Sequence, residues 1–146
     1  MRLTDRTDYA FRVLMHLAAN AGRLVTIAEI AERFGVSRSH LNRVAWELGR
    51  AGFVETVRGR GGGLRLARPA AEIPAGAVVR HMERSIPLAE CFPGGAGRCR
   101  IAPACRFRVV LAEAEEAFFA VLDRYTVHDL VDRNRELRAV LVADPP

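Results

Sequence analysis

The stretch Thr26-Ile-Ala-Glu-Ile-Ala-Glu-Arg-Phe-Gly35-Val-Ser37-Arg-Ser-His-Leu41 decides the fold. Thr26 followed three residues later by Glu29 is a capping-box pattern, and Val25 with Ile30 stand where a hydrophobic staple closes over a helix start. Gly35 suits the left-handed position that ends a helix. Ser37 opens a second helix, stapled by Val36 and Leu41, and Gly52 closes it. Ala31, Gly35 and Leu41 supply the small residue at a helix crossing, the turn glycine and a core-facing aliphatic. Two capped helices joined by a turn of about three residues make a helix-turn-helix, with residues 37–51 as recognition helix.

Downstream, Phe53–Val57 and Leu64–Leu66 read as strands flanking the glycine-rich turn Arg58-Gly-Arg-Gly-Gly-Gly63, a β-hairpin wing. Upstream, Thr4 or Asp5 starts a helix reaching about Asn20. Phe11, Leu14, Met15 and Ala18 give its apolar stripe, with Asp8, Arg12 and His16 on another face. Pro69–Pro74 is a connector, Ala75–Glu83 a short helix, and 84–105 an irregular loop bridged by the flexible Pro93-Gly-Gly-Ala-Gly97. Beyond it Phe107, Leu111, Ala114, Phe118, Val121 and Tyr125 recur at steps of 4, 3, 4, 3 and 4. That heptad seam predicts a long helix that pairs with a second copy, or else packs on the chain's own core. Thr126–Asn134 can start one more short helix. The expected fold is mainly α: a winged helix-turn-helix with a small β-hairpin wing plus a long C-terminal dimerisation helix. Its units are a DNA-binding domain at 1–70, a connector helix and cysteine loop at 71–105, and a dimerisation helix and tail at 106–146.

The 22 basic residues are all Arg, against 17 acids. Residues 1–70 carry 12 Arg and 6 acids, whereas residues 71–146 carry 10 Arg and 11 acids, so the positive excess sits in the first half. An excess confined to one half predicts a polyanion partner for that half. The start carries charges where a signal peptide needs an apolar stretch, so none is expected, and no apolar run approaches the ~18 residues of a membrane span. A cytoplasmic protein is expected.

Arg38, Ser39, His40, Asn42 and Arg43 occupy the first two turns of the recognition helix, where side chains reach base edges of double-stranded DNA. Arg58, Gly59, Arg60, Gly61 and Gly62 form the wing tip, with arginines for phosphates or a minor groove and glycines that let the backbone approach DNA. A nucleotide cradle is the rival reading of those glycines. It fails because such loops open helices, and the Walker form needs a Lys that this chain lacks. Two copies of the reader need a pseudo-palindromic operator. His16, His40, His81 and His128 are dispersed, and no catalytic triad, carboxylate pair or cofactor fingerprint points to an enzyme.

The only cysteines, Cys91, Cys99 and Cys105, share one loop. Their spacing fits neither a zinc finger nor a Cys-x-x-Cys redox pair. Thiolate ligation of an iron–sulfur cluster, redox-reactive thiols and idle thiols all remain open on spacing alone. Arg98, Arg100, Arg106 and Arg108 lie close in sequence and would offset a cluster's negative charge.

Four segments resemble one family closely: Met1-Arg-Leu-Thr-Asp-Arg-Thr-Asp-Tyr9, Arg58-Gly-Arg-Gly-Gly-Gly-Leu-Arg-Leu66, Pro103-Ala-Cys-Arg-Phe-Arg108 and Val121-Leu-Asp-Arg-Tyr-Thr-Val-His-Asp-Leu130. The family is the Rrf2 (Rrf, type two) winged-helix regulators, and within it the NsrR branch of nitric-oxide-sensing repressors; the match runs to about residue 134. The resemblance implies a homodimer with one 4Fe-4S cluster per subunit. Cys91, Cys99 and Cys105 would be three ligands, and Asp8 of the partner subunit the fourth. It further implies a repressor released from its operator when nitric oxide attacks that cluster. The sister IscR-like branch carries a 2Fe-2S cluster and a His three residues after the last Cys, where this chain has Arg108. The interval from Cys91 to Cys99 is longer than is usual in the family. An IscR-like 2Fe-2S regulator and a cluster-free thiol sensor are the alternatives.

Overall fold

Helix α1 (Asp5–Ala19) is the spine of the molecule, a computed structural model that describes residues 3–142. The first two residues of the opening motif and the last four of the 106–146 segment lie outside the described residues. Around α1 pack α2 (Ile27–Phe34), α3 (Arg38–Arg50), α4 (Ala75–Glu83), α6 (Val127–Val131) and α7 (Arg135–Val142), together with the wing. Encirclement explains why α1 buries Ala10, Val13, Leu14, Leu17 and also Thr7 and His16. The expected polar face of Asp8, Arg12 and His16 is therefore corrected at His16, which is fully buried, while Phe11, Met15 and Ala18 are only half-buried.

The helix-turn-helix forms from the residues that predicted it. Thr26 Oγ1 accepts from the Glu29 N–H at 3.1 Å, Ser37 Oγ accepts from the His40 N–H at 3.3 Å, and Gly35 takes φ 62°. Val25, Ile30 and Leu41 are fully buried, as stapled helix starts require. The capping box at Thr26 is only half made. The Glu29 carboxylate turns instead to Arg23 Nη1 at 3.0 Å and His16 Nε2 at 3.2 Å, because a buried imidazole needs a partner more than an exposed helix end does.

Strands β1 (Val54–Val57) and β2 (Gly63–Leu66) pair antiparallel, Val54 with Leu66 and Val57 with Gly63. A single bridge adds Val25 to this hairpin. Its N–H donates to the Leu64 carbonyl at 3.0 Å, and the Leu64 N–H donates back at 2.7 Å. A side chain at Gly63 would collide with the Val25 backbone, so glycine is required for that closeness. After a 3-10 turn at Ala70–Glu72 comes α4, with the predicted bounds. Past the cysteine loop, α5 runs Arg106–Leu122 and touches α4 through Arg80, which pairs with Asp123 and lies over Phe119. The helix stops before Tyr125, whose carbonyl accepts from the Ala75 N–H, and the expected seam loses its last residue to that turn. A complete capping box at Thr126 and Asp129 opens α6, and α7, which the sequence reading did not separate, follows from Asn134.

Candidate DNA interface and cysteine loop

Helix α3 turns Leu41, Val44, Ala45 and Leu48 inward, which leaves Arg38, Ser39, His40, Asn42 and Arg43 exposed together on its outer side. His40 is braced from α1 by Tyr9, whose ring stacks on it at 6.2 Å and 22°. The wing tip exposes Arg58, Gly59, Arg60 and Gly61, with Gly62 half-buried beneath them. Gly59 and Gly61 have φ of 102° and 74°, and a side chain at Gly62 would strike the Val57 carbonyl. The tight turn thus accounts for these glycines without reference to DNA. Arg65 is held by Glu55 across the strands at 2.9 Å, whereas Arg38, Arg43, Arg58 and Arg60 join no ion pair among the described residues. Sequence reasoning missed Trp46 and Arg50 on the same outer face. A helical wheel of α3 places both there, so the signal was available.

The three cysteines are free and half-buried. Among the described residues no three Cys, His, Asp or Glu side chains converge as a metal-ligand group. Within the 93–97 segment the Gly95 N–H donates to the Phe92 carbonyl and the Gly97 N–H to the Glu90 carbonyl, at 2.9 and 3.2 Å. Cys105 occupies the N-cap position of α5. Asp8 is exposed on α1 and pairs with Arg12 at 2.7 Å.

The base of this loop is fastened to the reader. Glu83 Oε1 accepts from the Thr4 N–H and hydroxyl, both at 2.8 Å, and from the Thr7 hydroxyl. Burial alone would raise the Glu83 pKa, but those hydrogen bonds outweigh it and hold the carboxyl below its usual value. Arg6 donates to the Met82 carbonyl and Ser85 Oγ, both at 3.4 Å, and to Glu47 of α3 at 3.3 Å. Arg84 reaches the same Glu47 at 3.7 Å. Glu47 is 7% exposed, so Arg6 of α1 and Arg84 at the loop's entrance converge on a buried carboxylate of α3.

A sequence profile described as Rrf2, "Iron-dependent Transcriptional regulator", matches residues 3–133. The chain belongs to the Rrf2 family. It is 46% identical over 142 residues to the HTH-type transcriptional regulator NsrR of Geobacillus kaustophilus, covering 97% of each chain. Its structure is similar to that of T. potens IscR (TM-score 0.74, 27% identity, 94% of this chain and 90% of that one). It also resembles CymR, the global cysteine regulator of B. subtilis (TM-score 0.71, 25% identity, 90% and 96%). Rrf2 proteins are DNA-binding transcriptional regulators rather than enzymes. No helix among the described residues is long and apolar enough to cross a membrane. The thiol donors fit an iron–sulfur group in chemistry: three free cysteines on one loop, none in a disulfide, beside arginines.

Proposed function

We propose that this Rrf2 regulator is a cytoplasmic, homodimeric repressor that binds a pseudo-palindromic operator and lets go in response to nitric oxide. One observation carries the reading. The free cysteines lie in a single loop whose entrance is tied by Glu83 to α1 and by Arg84 to Glu47 of α3, with Arg6 of α1 bridging Ser85 and the same Glu47. Cys91, Cys99 and Cys105 would hold a 4Fe-4S cluster, with Asp8 of the partner subunit as fourth ligand. Such a cluster supplies iron that nitric oxide can attack. Asp8 stands exposed at the surface, so it can serve a neighbouring copy by exchanging its Arg12 partner. A loop held at both Asp8 and the cysteines keeps Arg84 and Ser85 against the reader. A released loop slackens those contacts and shifts α3, a two-state device.

The proposed organisation is a reader at 1–70, a sensing segment at 71–105 and a pairing segment at 106–146. The exposed seam residues Phe107, Ala114 and Val121, with the half-buried Leu111 and Phe118 at their edge, would meet their counterparts, with Tyr125 beside them. Arg38, Ser39, His40, Asn42 and Arg43 would read bases, and the wing residues 58–62 would follow the backbone.

Anaerobic purification with a visible spectrum, iron and sulfide assays and a DNA mobility shift tests this. A brown dimer whose operator complex dissociates on adding nitric oxide is expected, with Asp8→Ala altering the spectrum and weakening the response. Colourless protein whose binding answers peroxide instead would establish a thiol sensor. A 2Fe-2S spectrum would move the chain to the IscR-like alternative.

A further inference from the structure

Trp46 is the only tryptophan of the chain, and it is 60% exposed in the middle of α3. With each residue advancing about 100° around a helix, Trp46 and Arg50 fall opposite the buried Leu41, Val44 and Leu48. They share that outward stripe with Ser39 and Arg43. The Arg50 guanidinium lies over the indole, 4.9 Å from the ring centroid. Arg50, like Arg38 and Arg43, joins no ion pair among the described residues. The one carboxylate of α3, Glu47, is buried beneath the helix on the side of Arg6 and Arg84. The outer face therefore combines three unopposed cations with one large amphipathic ring. An indole offers an apolar plate and a single donor, Nε1–H.

Position along the helix decides what that pair meets. Residues 38–43 form the first two turns, and Trp46 lies about 10 Å further along the axis than Ser39. The major groove is about 12 Å wide and 8.5 Å deep. A helix inserted by its N-terminal turns has reached the sugar-phosphate wall by its third. The geometry points to Trp46 and Arg50 as a backbone clamp: the indole packs on a deoxyribose, and Nε1–H and the guanidinium grip phosphate oxygens flanking each half-site. The clamp sets how deep and at what tilt the first two turns enter. It carries no sequence information of its own. This inference rests on the reading of α3 as the recognition helix.

The test uses the full-length dimer and a duplex that the wild-type protein selects from a random pool, beside a scrambled duplex of equal length. Trp46 is its own reporter. Adding the selected duplex is expected to change its emission, and an unchanged emission with DNA bound overturns the inference. Arg50→Ala should lower the slope of log affinity against log salt by about one, and Trp46→Ala should weaken both duplexes by a similar factor, about tenfold. Trp46→Phe keeps the plate without the donor and should fall between. An unchanged slope for Arg50→Ala overturns the phosphate contact, and loss of discrimination in Trp46→Ala would make the indole a base reader instead. Asn42→Ala and Arg43→Ala separate the two failures. If neither affects discrimination or affinity, the assignment of α3 itself is wrong.

Discussion

Helices α1 and α5 are similar in length, 15 and 17 residues, and both are rich in apolar side chains, yet the chain treats them in opposite ways. α1 is enclosed and buries even a threonine and a histidine. No residue of α5 is buried, and Phe107, Val110 and Val121 are 66%, 57% and 46% exposed. Only the side bearing Leu111, Glu115, Phe118 and Phe119 is partly covered, facing α4. Apolar patterning thus reveals that a face wants cover without saying whose surface provides it. For α1 the cover is this chain. For α5 the exposed part of the seam, Phe107, Ala114 and Val121, belongs to the face we assign to a second copy.

The largest way to break this contrast is core truncation. Leu14→Ala should cost about 3 kcal/mol in urea unfolding, whereas Phe107→Ala should change the fold of the single chain by less than about 0.5 kcal/mol. Equal losses would show α5 to be part of the monomer's core. Acid comes next, because the α1–α2 junction holds the ionisable cluster. Hydrogen bonding from Arg23 holds Glu29 at about 2, against a usual 4.5, and burial lowers His16 below 6.5. Both shifts leave the fold more stable at neutral pH than in acid, Glu29 because its ionised form is bound and His16 because its protonated form is disfavoured. Stability should start to fall below pH 6.5, as the unfolded chain protonates His16. A further loss should follow between 4.5 and 2, on the order of 2 kcal/mol after allowing for the half-exposed Arg23. Thermal melts of Glu29→Gln should lack that lower step.

Third, Val121→Glu should weaken self-association at least tenfold, about 1.4 kcal/mol, by sedimentation, while circular dichroism stays native. A dimer of undiminished affinity would remove α5 from the interface. Smallest is Thr126→Ala. Loss of the complete cap on α6 should cost about 1 kcal/mol in the same urea assay and leave self-association alone.

The reader was legible because its signals are local. Thr26, Gly35 and Ser37 act on backbone groups within four residues, and the wing strands announce themselves by their turn. What escaped depends on distant partners. The Val25–Leu64 and Pro74–Thr126 bridges involve single residue pairs and have no period to detect. His16 was misplaced because a histidine on a helix looks polar until six elements surround that helix. Glu29 was expected to return to its own helix start, but Arg23 and His16 compete for it. At the candidate site, sequence placed Asn42 and Arg43 on the exposed side of α3 and gathered the cysteines into one loop. The tie from Arg84 to Glu47 links residues 37 positions apart, and no spacing rule announces it.

The stitch between Val25 and Leu64 has a mechanical consequence. It sews the doorway of the helix-turn-helix to the inner strand of the wing, so residues 25–66 behave as a stiff caliper with a fixed gap between its two jaws. In the dimer proposed above, a promoter that departs from the preferred distance between half-sites would not be met by opening that gap. Tolerance for uneven spacers would come instead from the exposed α5 and the turns at its two ends.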